Sequence, residues 1–127
     1  MFAVGRAVLG GFFVLAGVNK LANYADTVAY MEGTGLPSVL LPLVILLEIG
    51  VGAMVMLGRP ARLLFWAAVA LAGFSVLTNL YFHRFWALDG QIAQLELSLF
   101  FKNLAIAGGM LMVAGAVMTR KTTLPTR

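Results

Sequence analysis

A handful of residues carry most of the chemistry open to this chain. Glu48 stands alone in the apolar stretch Ser38 to Leu57, and His83 ends another such stretch one helical turn beyond Asn79. Lys102 and Asn103 interrupt a third, while Arg6 and Lys20 lie toward the two ends of a fourth. An ionised side chain at the centre of a bilayer costs about 2.5–3.5 kcal/mol on insertion scales. Glu48 is about ten residues, or about 15 Å, from either end of its stretch, too deep for its short side chain to reach water. It is therefore either protonated or ionised and paired. Lys102 is the expected partner, at an axial offset of about 8–10 Å, and Arg6 lies at a similar offset from the other side. A buried carboxyl group and an imidazole are equipped to move protons, which makes Glu48 and His83 the candidate catalytic groups. Lys20, Asn79, Arg84, Lys102 and Asn103, with Asn19, gather toward one membrane face. They can bind a small anion, or the carbonyl oxygens of a quinone ring among apolar side chains. Glu48, Lys102 and Arg6 are the candidate structural ion pair. With no cysteine and one histidine, thiolate metal centres, dithiol exchange and bis-histidine haem ligation are excluded. No intrinsic cofactor and no metal site is expected; a quinone is the one candidate.

These residues sit in a chain of 127 residues that is 61% hydrophobic and 11% charged, against about 45–50% and 25% in soluble domains. Nine Lys and Arg are scattered without a basic tract, which excludes nucleic-acid binding. The lipid bilayer is the expected partner. Four apolar stretches approach the roughly 20 residues that cross a bilayer: about residues 2–21, 38–57, 63–82 and 95–118. The expected fold is all-α, an integral membrane antiparallel four-helix bundle forming one domain over residues 1–127. The first stretch also resembles the core of a signal peptide, with Arg6 before it. Asn19-Lys20 follows directly and no small-x-small cleavage site is evident, so it is read as a retained membrane helix.

Charge orients the bundle. Arg6, Arg59, Arg62, Arg120, Lys121 and Arg127 fall on one side, and Lys20, Arg84 and Lys102 on the other with Asp26, Glu32, Asp89 and Glu96. The positive-inside rule places both termini in the cytoplasm of a bacterial inner membrane. Tyr24 to Glu32 reads as a short interfacial helix ended by Gly33-Thr-Gly-Leu-Pro37, and Asp89-Gly90 as a turn. Membrane helices associate through small and polar residues, and helical spacing picks out four such faces. They are Arg6, Gly10, Phe13, Gly17 and Lys20; then Leu41, Val44, Glu48, Gly52 and Val55; then Ala68, Ala72, Ser75, Asn79 and His83. The last is Gln91, Gln94, Ser98, Lys102, Ala105 and Gly109. All four are expected to face inward.

Arg6, Gly17-Val-Asn-Lys20-Leu21, Gly35-Leu-Pro37, Glu48 with Gly52, His83-Arg-Phe-Trp86 and Phe101-Lys102-Asn103 follow one another over about residues 4–116. In that order and spacing the chain resembles the DoxX family of small four-helix bacterial membrane proteins. The resemblance implies a quinone- or redox-associated role, as in DoxD-type subunits of thiosulfate:quinone oxidoreductase. It marks Arg6, Lys20, Glu48, His83, Lys102 and Asn103. The leading expectation is a cytoplasmic-membrane subunit of a redox-associated complex. It would bind quinone or a small anion in the outer half of the bundle and take electrons from a soluble redox-enzyme subunit. One alternative is a small proton-coupled exporter, since size, four spans and one embedded glutamate resemble the small multidrug resistance transporters, although those carry the glutamate in the first helix and many insert in both orientations with little charge bias. Another is a non-catalytic anchor that recruits a soluble enzyme through Arg59, Arg62, Arg120 and Lys121. A homo-oligomer is compatible with each.

Overall fold

A computed structural model describes residues 1–122. Arg127 and the side chain of Lys121, both counted in the charge asymmetry, lie outside the described residues. All regular structure among the described residues is helical. The main elements are α1 (Phe2–Ala22), α2 (Tyr24–Gly33), α3 (Ser38–Leu57), α4 (Leu64–Phe82) and α5 (Gly90–Thr122). All but the ten-residue α2 are long and apolar enough to cross a membrane. The expected span limits hold closely at α1 and α3. The third span continues through a tight turn at Phe85–Ala87, and the 33-residue α5 begins at Gly90 rather than near Leu95. The helices form two compact units, Met1–Ala67 and a second that begins at Ala68.

In the first unit α1 and α3 run antiparallel along the faces read from the sequence. Gly10, Phe13 and Gly17 are buried on α1, with Arg6 and Lys20 partly covered. Leu41, Glu48, Gly52 and Val55 are buried on α3, where Ile45 is more deeply covered than Val44. Leucines on the opposite sides stand out, Leu15 at 71% and Leu46 at 70% exposure, as suits helices whose solvent is lipid. Glycine sets the spacing between the two helices. A Cβ on Gly10 would collide with the Met56 backbone nitrogen and lie 2.6 Å from the Gly52 carbonyl oxygen. A Cβ on Gly52 would lie 2.9 Å from that of Phe13.

Helix α3 is not uniform. Pro42 occupies its first α-helical turn, where a missing N–H costs nothing, and the backbone widens to a π-helical turn over Leu47–Val51. The helix ends at Gly58, whose φ of +71° favours glycine. Arg6 secures that end: its Nη1 donates to the carbonyl oxygens of Val55 and, at 2.9 Å, Met56, two of the acceptors a helix terminus leaves open. A Cβ on Gly58 would lie 2.6 Å from the Arg6 guanidinium. Gly58→Ala is therefore expected to lower stability by about 1–2 kcal/mol from the left-handed backbone alone. The further loss from crowding should disappear in an Arg6→Gln background, as read by thermal unfolding in detergent.

The second unit contains most of α4 and all of α5. The expected inward face of α4 is borne out: Ala68, Ala72, Ser75 and Asn79 are buried and His83 is half-buried. The expected face of α5 is not. Ala107, Met110, Val113, Ala114 and Val117 are buried, whereas Gln91, Gln94, Ser98, Lys102 and Ala105 are exposed. Glu96 and Asn103, two turns apart, make hydrogen bonds to α4. Each residue advances about 100° around the axis, so turning these two inward carries Gln94 and Lys102 to the outside.

Candidate functional site

Two polar constellations lie within the helical units. The first is centred on Glu48, only 4% exposed. Its Oε1 accepts a hydrogen bond from Lys20 Nζ at 2.9 Å. Its Oε2 is buried and has no hydrogen-bond partner among the described residues. The partner is thus Lys20, not the expected Lys102, which is exposed. Nor is it Arg6, whose guanidinium is committed to the far end of α3. Gly17 supplies the physical reason. It lies one turn before Lys20, and a Cβ there would be 3.1 Å from that of Glu48. With the helices so close, the lysine stem spans the remaining offset instead of reaching for water. The Lys20 side chain stays 30% exposed, so the pair has one accessible and one enclosed member. Glu48 also falls in the π-helical turn, a feature that recurs at functional sites.

The second constellation joins α4 to α5. His83 Nδ1 and Glu96 Oε2 are 2.6 Å apart, with the side chains 18% and 21% exposed. One turn earlier Asn79, 2% exposed, donates from Nδ2 to the Phe100 carbonyl oxygen at 2.9 Å. Its Oδ1 faces Asn103 Nδ2 at 3.4 Å. Phe100 is also the centre of a ring cluster, edge-on to Phe85 at 5.3 Å and to Trp86 at 6.1 Å between centroids. Asn79, His83 and Asn103 are thus brought together. Arg84 and Lys102 are not: both are exposed. Lys20 is engaged with Glu48 in the first unit. Glu96 was missed as a site residue, although one signal pointed to it. In an antiparallel helical hairpin, partners for residues 79 and 83 recede by the same interval on the second helix, and Phe100 and Glu96 are four apart. Among the described residues no three metal-ligating side chains cluster.

Four membrane-length helices with acid–base and amide pairs tying neighbours together define a small polytopic helical membrane protein. The chain belongs to the DoxX family, whose family model matches residues 1–84. It is similar to the inner membrane protein YqjF of Escherichia coli (strain K12), 40% identical over 111 residues that cover 87% of this chain and 79% of that protein. It is also similar to the inner membrane protein YphA of the same organism, 27% identical over 116 residues, 90% of this chain and 81% of that one. No solved structure matches. The family match takes in Arg6, Lys20, Glu48 and His83 and ends at Arg84, so Phe101-Lys102-Asn103 lies beyond it.

Proposed function

We propose that the protein is an integral subunit of the bacterial cytoplasmic membrane that serves a redox-associated complex. It holds a quinone head group at the His83 end of the α4–α5 hairpin, and both its termini face the cytoplasm. The observation that carries this reading is the 2.6 Å contact between His83 and Glu96 beside the Phe85, Trp86 and Phe100 rings. Glu96 fixes Nδ1 and so aims Nε2 outward for a ligand. In its protonated form His83 donates from both nitrogens, to Glu96 and to a quinone carbonyl oxygen. The rings offer the flat apolar surface that a quinone head group prefers. Reduction to the quinol takes two electrons, which a soluble partner subunit would supply, and two protons. His83 Nε2 gives one, and water supplies the other. The similarity to YqjF and YphA, both inner membrane proteins, supports the location, and the basic excess at Arg6, Arg59 and Arg62 supports the orientation.

Protein purified in mild detergent is expected to bind a ubiquinone or menaquinone analogue. His83→Ala should weaken that binding about tenfold or more, the loss expected for a hydrogen bond from a charged donor. Failure to bind either quinone, together with no electron transfer in the presence of co-purified partners, overturns the reading. The enclosed Oε2 of Glu48 favours a second one, a small proton-coupled exporter. In that case reconstituted vesicles would show pH-driven efflux abolished by Glu48→Gln.

A further inference from the structure

Gln91, Gln94, Ser98 and Lys102 follow one another at intervals of three and four, so they form one face of α5. All four are exposed. On a water-soluble helix this would be ordinary. On a helix long and apolar enough to cross a membrane, it turns the Lys102 ammonium group toward acyl chains, where charge is costly, while Gln91 and Gln94 precede the apolar stretch 95–118.

We propose that this face is a binding site for the headgroup of an anionic phospholipid, gripped between Lys102 and Gln94. The Cα of Lys102 lies about 6 Å below that of Ser98 and about 12 Å below that of Gln94 along the axis. Cα–Cβ bonds tilt toward a helix N-terminus, so the lysine stem climbs in the direction of Gln94 and brings Nζ near the level of Ser98. A phosphate there accepts from Lys102 Nζ on one side and from the Gln94 amide on the other. Ser98 does not compete, because its hydroxyl donates to the Gln94 backbone carbonyl at 3.0 Å. Leu95 and Phe101 flank the face at 59% and 58% exposure and give the acyl chains an apolar bed. The face has no carboxylate. A second copy docked here about a two-fold axis along the membrane normal would set Lys102 against Lys102, a like-charge contact in a medium that screens poorly. A lipid phosphate supplies the missing negative charge.

The test uses the full-length protein released from nanodiscs of equal phosphatidylglycerol and phosphatidylcholine content and weighed by native mass spectrometry. Wild type is expected to retain phosphatidylglycerol over phosphatidylcholine. Lys102→Gln should cut that preference about fivefold, the factor one near-surface cation contributes toward anionic lipid. Lys102→Arg should keep it, and Arg59→Gln, at an exposed position outside this face, should leave it unchanged. Equal retention of the two lipids by wild type overturns the proposal, as does a Lys102→Gln variant with undiminished preference. A wild-type dimer that Lys102→Gln disperses also overturns it and assigns the face to a second copy. None of these outcomes depends on quinone binding.

Discussion

Replacing Lys20 with methionine is expected to destabilise the α1–α3 pair more than any other single side-chain truncation there. The change leaves Glu48, 4% exposed and already short of one hydrogen bond at Oε2, without its only counter-charge among the described residues. Removing one partner of a buried ion pair typically costs about 3–5 kcal/mol, because the remaining charge stays behind uncompensated. The reverse change should cost far less. In Glu48→Gln the Lys20 ammonium, on a side chain that is 30% exposed, can swing to the interface and recover its hydration. The combined variant Lys20→Met/Glu48→Gln should then regain much of what Lys20→Met lost. Thermal unfolding in detergent across the four proteins measures this directly. Losses that simply add would show that the two side chains do not act as a pair.

The second large effect is expected at Gly10. Its missing Cβ is what lets α1 touch the backbone of α3 at Met56 and Gly52. An alanine there meets main-chain atoms, which cannot step aside as a flexible side chain can. Gly10→Ala is expected to cost about 3 kcal/mol, the upper end for overpacking, and to loosen the Lys20–Glu48 contact as the helices part. Gly108→Ala and Gly115→Ala are the internal controls. No other group among the described residues lies within 4 Å of where their Cβ atoms would stand, so a melting point at or slightly above that of wild type is expected for both. Losses at Gly108 and Gly115 as large as that at Gly10 would show that close approach is not what makes Gly10 sensitive, since Gly→Ala alone favours a helix by about 0.5–1 kcal/mol.

Much of this architecture was legible in the amino-acid order. Apolar length located the four membrane helices, and small-residue spacing picked the buried faces of α1, α3 and α4 correctly. It failed on α5 for a specific reason. The rule that polar residues turn inward was applied to the most polar stripe, Gln91, Gln94, Ser98 and Lys102. The two side chains that do turn inward, Glu96 and Asn103, are answered by His83 and Asn79 on α4. Partner matching across the hairpin decides that face, and composition along one helix does not contain it. Glu48 shows a similar gap. The need for a counter-charge followed from depth alone, but the choice of Lys20 depended on how closely Gly17 lets the backbones approach. Axial offsets carry no information about that lateral distance.

At 33 residues, α5 measures about 50 Å along its axis, against a hydrocarbon layer of about 30 Å. Its three companions span 20 to 24 residues and have little length to spare. A rod so much longer than the slab it pierces must lean or stand proud of it. The surplus of about 20 Å is absorbed by tilt or by turns of α5 that stand among the lipid headgroups.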